Sequence, residues 1–99
     1  MITLVELDAN GYVDITGVSD IPLEIYEYEV VYSKVFFDNH YKYLYTIFIV
    51  FVSDVDDYYF CVDMLGNFLS CCEPIYGITA IERHAAWVYR VLMETELDD

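Results

Sequence analysis

The stretch Tyr41 to Ser53, YKYLYTIFIVFVS, decides the fold. It is nearly continuous Tyr, Ile, Phe and Val, residue types that suit a pleated, buried surface. Lys42 is its only charge. A strand with one wet face alternates apolar and polar residues, and this one does not. It is therefore expected to be a central strand with both faces covered. Its uncharged run, Tyr43 to Ser53, is far short of the roughly twenty residues a membrane-spanning helix needs.

Working outward, Asp38-Asn39-His40 is a turn cluster on the upstream side. Leu23 to Phe37 before it is rich in β-branched and aromatic residues. The two-residue period of a strand puts Tyr26, Tyr28, Val30 and Tyr32 on one face, and Glu27, Glu29, Val31 and Ser33 on the other. Ser19-Asp20-Ile21-Pro22 is a connection. Further upstream, Ile2 to Leu7 is short, apolar and partly alternating, and Asp8-Ala9-Asn10-Gly11 follows it. Asn-Gly is a strong hairpin signal because both residues tolerate positive φ. The expectation is a strand, a turn and a return strand over Tyr12 to Val18.

On the downstream side, Asp54-Val55-Asp56-Asp57 is an acidic turn. Tyr58 to Met64 and Phe68 to Cys72 form a second hairpin around Gly66-Asn67. Pro74 and Gly77 make the next connection irregular, and then the period changes. Thr79-Ala80-Ile81-Glu82 fits a capping box. Ile81, Ala85, Val88 and Leu92 recur at helical spacing, with Ala80, Trp87 and Val91 widening the stripe, so a helix is expected to about Thr95. The expected fold is α+β in one domain over residues 1–99. An antiparallel sheet of five or six strands, with two hairpins, carries one long C-terminal helix on one face. The open face is expected to be the Tyr- and Glu-rich one.

Four Lys and Arg oppose eighteen Asp and Glu, a net charge of −14 on 99 residues. A chain of this mass exposes roughly 5,800 Å² when folded, so about one uncompensated charge falls on each 400 Å². Nucleic-acid phosphates and anionic membranes are poor partners for such a surface, and a basic protein is a good one. Disorder is not expected, because 58% of the residues are hydrophobic and mean hydropathy is +0.35. MITLVELDANG has neither the basic start nor the apolar core of a signal peptide. Together with an odd count of three cysteines, this leads to an expectation of reduced thiols and a cytoplasmic setting.

The acids cluster away from the bases. Glu6, Asp8, Asp14, Asp20, Glu24, Glu27 and Glu29 precede the first base, Lys34. Asp54, Asp56, Asp57, Asp63, Glu73 and Glu82 lie in a second base-free stretch. Carboxylates two residues apart on a strand project to one face about 6.6 Å apart, comparable with phosphate spacing along a nucleic-acid strand. Glu27 with Glu29, and Asp54 with Asp56, have this arrangement. Tyrosine adds large contact area at low entropy cost and stacks on Arg. The expected partner-binding residues are therefore Glu24, Tyr26, Glu27, Tyr28, Glu29, Tyr32, Asp54, Asp56, Asp57, Tyr58 and Tyr59. Against this stands the ordinary alternative of tyrosines in the core and carboxylates that only confer solubility.

Catalytic chemistry finds little support. Cys61, Cys71 and Cys72 lack a CxxC pair, and only His40 and His84 could complete a zinc site. With Gly66-Asn67 as the turn, Cys61 falls opposite Cys72, within reach of a cross-strand disulfide only if the geometry is right. Asp54, Asp56 and Asp57 lack the Gly and distant Glu of an EF-hand. No Gly-rich phosphate loop is present. The reading is a non-enzyme without metal or cofactor. The leading expectation is a small acidic inhibitor that covers the basic nucleic-acid site of a larger enzyme or complex. A phage or mobile-element counter-defence protein, such as an anti-CRISPR or anti-restriction protein, has this size and charge. The alternatives are an immunity protein or antitoxin that plugs a basic nuclease, and an assembly subunit of a larger complex. An exposed, Tyr-rich sheet edge would also allow a homodimer.

Overall fold

Strand β3 (Tyr43–Val52) lies at the centre of a five-stranded antiparallel sheet and is covered on both faces over Ile47 to Val50, while Tyr43 and Leu44 at its start are exposed. The structure is a computed structural model that describes residues 2–16, 30–52, 57–64, 67–71 and 77–97. The other strands are β1 (Val13–Asp14), β2 (Val30–Asp38), β4 (Asp57–Met64) and β5 (Asn67–Cys71). They run in sequence order, β1-β2-β3-β4-β5, so every connection joins neighbours. Two helices, α1 (Leu4–Ala9) and α2 (Ile78–Leu97), complete the chain.

The register sorts the residues into two faces. Ile47 aligns with Lys34 and Val62, and Ile49 with Tyr32 and Phe60. These rows, with Tyr45 and Met64, form the main core with Ile78, Ile81, Ala85, Tyr89 and Met93 of α2 and with Leu7 of α1. On the other face Val31, Phe48, Val50 and Cys61 make a smaller buried cluster, with Ile15, Tyr59 and Phe68 against it. The continuous apolar run of β3 thus fills two cores, as its lack of alternation predicts. The α+β class, the antiparallel sheet and the C-terminal helix on one face are all present.

The first segment differs from expectation. Ile2 to Leu7 is not a hairpin strand; Leu4–Ala9 is a helix. Thr3 caps it, its Oγ1 accepting from the Glu6 N–H at 3.2 Å, in the Thr-x-x-Glu spacing of a capping box. Asn10-Gly11 ends this helix instead of turning a hairpin. The Gly11 N–H donates to the Asp8 carbonyl and the Tyr12 N–H to the Leu7 carbonyl, with Gly11 at φ +84. This is the Schellman arrangement, with Leu7 and Tyr12 both buried beneath it. The return strand shrinks to Val13–Asp14 and pairs with β2.

Two further boundaries move. Met64 pairs with Asn67, so residues 65 and 66 separate β4 from β5, and Cys61 lies opposite Ser70, not Cys72. Helix α2 begins at Ile78, and the Ile81 N–H donates to the Gly77 carbonyl. Thr79 therefore sits within the first turn and does not cap it. Met93 and Tyr89 widen the buried stripe, while Ala80, Trp87 and Val91 are exposed.

Gly11→Ala tests the Schellman turn. An added Cβ would meet only Lys34 at ordinary contact distance, 3.7 Å, so the cost is that of the left-handed backbone. A loss of about 1–2 kcal/mol in urea unfolding is expected. An unchanged midpoint would contradict the assigned helix end.

Candidate functional site

Of the residues expected to bind a partner, Glu24, Tyr26, Glu27, Tyr28, Glu29, Asp54 and Asp56 lie outside the described residues. Asp57 and Tyr58 open β4, opposite Val52 and Phe51, and their side chains are outside the description. Tyr59 is half-buried against the smaller cluster. Tyr32 is a correction. It is 6% exposed and sits on the helix-covered face of β2, so its ring belongs to the core. The face of β2 that carries Tyr32 is thus the closed one.

Tyrosine is a core-forming residue in this protein. Tyr12, Tyr32, Tyr45 and Tyr89 are all buried. Tyr45 stacks on Tyr89 with centroids 4.6 Å apart, Phe36 stacks on Tyr45 at 5.3 Å, and Tyr41 meets Tyr89 edge-on at 6.2 Å. Offset and edge contacts of this kind stabilise beyond simple area burial. Burial pushes the Tyr89 hydroxyl up to about 12, and the nearby Asp38 carboxylate adds to the shift. That hydroxyl is buried close to Asp38 without a hydrogen bond of good geometry among the described residues. Burial likewise raises Tyr12, Tyr32 and Tyr45, with Glu82, then Asp8 and Asp14, then Asp38 as their respective first anionic neighbours.

The single ion pair among the described residues serves the fold. Lys34 Nζ lies 3.9 Å from Glu82 Oε1 and donates to the Asn10 carbonyl at 2.8 Å. It also lies over the Tyr12 and Phe36 rings, at 5.6 and 5.0 Å from their centroids. The Tyr12 hydroxyl donates to the same Glu82 oxygen at 3.3 Å. One lysine thereby ties the end of α1, the middle of β2 and the first turns of α2. Glu82 reaches this clamp instead of capping its helix.

Of the other described carboxylates, Asp38 and Asp63 are half-buried and Glu94 is exposed. Glu6 and Asp8 on α1 and Asp14 on β1 are exposed, and Asp8 and Asp14 both act on the Tyr32 hydroxyl. Asp14 accepts from the Thr16 hydroxyl and N–H, which holds its carboxyl below the usual range. These acids mark an α1–β1 corner that sequence reasoning counted in a base-free stretch but did not place. Around them Leu4, Val5 and Val13 are exposed.

A second feature lies at the β2–β3 turn. Desolvation opposes ionisation of Asp38. It is outweighed by the His40 and Tyr41 N–H donors, the Tyr89 hydroxyl and the Arg90 charge, which bring the carboxyl below its ordinary range. Lys42 completes the turn at φ 56. A shallow cleft of about 190 Å³ there is lined by His40, Tyr41, Arg90 and Glu94. Its charges are mixed, and nothing in it forms a nucleophile–base pair. Among the described residues, no group of three or more His, Cys, Asp or Glu is placed to hold a metal ion. No described helix is long and apolar enough to cross a membrane. No family model, curated protein or solved structure matches the chain.

The buried phenols set an alkaline limit. Folding holds them protonated, so their contribution is complete below about pH 10 and is lost as pH rises toward 12. Phenolate absorbance and unfolding should therefore rise together in an alkaline titration. Smooth ionisation of all tyrosines near pH 10 without unfolding would contradict the buried placement. At neutral pH Tyr89→Phe should change stability by less than about 1 kcal/mol, because no well-formed hydrogen bond is lost.

Proposed function

We propose that this chain is a small acidic inhibitor that acts by binding. It covers the basic nucleic-acid site of a larger protein through steric and electrostatic competition. The observation that carries the reading is the state of its charges. Eighteen carboxylates face four bases, and the one ion pair among the described residues spends Lys34 on holding the fold. The surplus is left to attract a cationic groove, which accelerates association and makes it salt-sensitive. The expected contact surface runs over Glu24, Tyr26, Glu27, Tyr28 and Glu29 and over Asp54, Asp56, Asp57, Tyr58 and Tyr59. Asp8 on α1 and Asp14 on β1 are exposed and add to the acidic surface. A phage or mobile-element protein directed at a CRISPR or restriction enzyme fits this chemistry, and so does an immunity protein against a basic nuclease.

A second reading is favoured by a different observation. On the face away from the helices, Phe37 and Leu44 are cross-strand partners, Val35 lies beside Phe37, and all three are exposed. Apolar residues in such a group suit an assembly subunit, whose association tolerates salt.

The two readings separate in one assay. Tagged protein is used to capture partners from host cells at low and high salt, with and without competing DNA. The inhibitor reading expects a basic nucleic-acid-binding protein that is lost at high salt and displaced by DNA. Glu27→Lys/Glu29→Lys should weaken its capture at least tenfold while the circular dichroism spectrum is kept. Capture by the folded double variant at full strength, or capture indifferent to salt and DNA, would remove the acidic surface from the mechanism.

A further inference from the structure

The outer face of α2 stands apart from the rest of the molecule. Its inner stripe, Ile78, Ile81, Ala85, Tyr89 and Met93, is buried. On the opposite side, helical spacing aligns Ala80, Arg83, Trp87, Arg90, Val91 and Glu94, all exposed. Trp87 is 62% exposed and Val91 43%, where a solvent-facing helix normally carries charge. The Trp87 ring has the His84 ring 5.9 Å away as its aromatic neighbour. Arg83, Arg90 and Glu94 form no ion pair among the described residues. Two of the four bases in the chain are on this helix, while fifteen of the eighteen acids lie outside it. With Arg83 and Arg90 against Glu82, Glu94 and Glu96, two bases to three acids, the helix carries only −1 of the chain's −14, so two copies repel little along it.

The charges along this face also have a direction. Arg83 stands toward the N-terminal end and Glu94 toward the C-terminal end, eleven positions on, or about 16 Å along the axis. A helix with that polarity is complementary to its own reverse. In an antiparallel pair centred at the height of Val88 and Tyr89, Arg83 of each copy falls level with Glu94 of the other. The same alignment sets Trp87 level with Arg90, the pairing that favours stacking of a guanidinium on an indole. One alignment meets both conditions, and two-fold symmetry makes each contact twice.

We propose that α2 is the dimerisation surface of this protein, packed antiparallel against α2 of a second copy. The interface is small, so the dimer is weak and its formation depends on concentration. It leaves the sheet, its edge and the acidic corner of α1 and β1 free, and it does not depend on the inhibitor reading.

The test is sedimentation equilibrium from roughly 1 µM to 1 mM, a range that brackets a weak association, at ionic strength near 0.15 M, where the Debye length is about 8 Å. A reversible monomer–dimer equilibrium is expected. Trp87→Ala, at an exposed position that should not harm the fold, weakens it about thirtyfold or more. Arg83→Glu alone and Glu94→Arg alone each weaken it about tenfold, and Arg83→Glu/Glu94→Arg restores it. The two side chains are too far apart for that rescue to arise within one chain. A monomer throughout the range would overturn the proposal. So would a dimer indifferent to Trp87→Ala, or one in which the double charge swap is as weak as the sum of the singles.

Discussion

A strand that is apolar on both faces must be flanked on both sides and covered twice, and β3 imposes that requirement on everything else. Ile47 and Ile49 face the helices, while Phe48 and Val50 face the smaller cluster. β2 and β4 pair with β3 along almost its whole length, which satisfies its backbone. Helix α2 runs over the Ile47 and Ile49 rows because its own stripe needs the same cover. The short helix α1 then closes the end near Tyr12 and Leu7, locked by Lys34 and Glu82. With an antiparallel meander, each of these contacts is between neighbours in sequence except those made by the helices.

That arrangement explains how a chain so acidic stays folded. Charges are absent from the buried set, which is hydrophobic throughout among the described residues. Tyrosine fills the zone between core and surface, its ring inside and its hydroxyl near a carboxylate, as at Tyr12 with Glu82 and Tyr89 with Asp38. The carboxylates at these points gain nearby phenols and amides instead of bases. Among the described residues, Glu6, Asp8 and Asp14 are exposed, where water screens their repulsion.

Much of this was legible in the residues. The unbroken run of β3 and the helical period from Ile81 to Leu92 each carried an unambiguous physical signal. The errors arose where two signals competed. Thr3-Leu4-Val5-Glu6 carries the same capping-box spacing as Thr79-Ala80-Ile81-Glu82, yet Asn10-Gly11 suggested a hairpin. In the structure the first box caps and the second does not, because α2 already begins at Ile78, before Thr79, and Glu82 meets Tyr12 and Lys34. Trp87 and Val91 lie beside the apolar stripe at helical spacing, and periodicity alone could not say that the stripe closes on Tyr89 and Met93 instead. The location of Tyr32 followed from which sheet face the helices chose, a choice that no local pattern encodes.

The central claim is that the surplus of eighteen carboxylates over four bases is left unneutralised when the chain folds. The most direct test is the melting temperature at micromolar protein as sodium chloride rises from about 0.01 M to 0.5 M, which shortens the Debye length from about 30 Å to well below 10 Å. The account predicts a clear rise across this series as self-repulsion is screened. A flat or falling melting temperature would mean that the carboxylates are already neutralised by neighbours, and would contradict it.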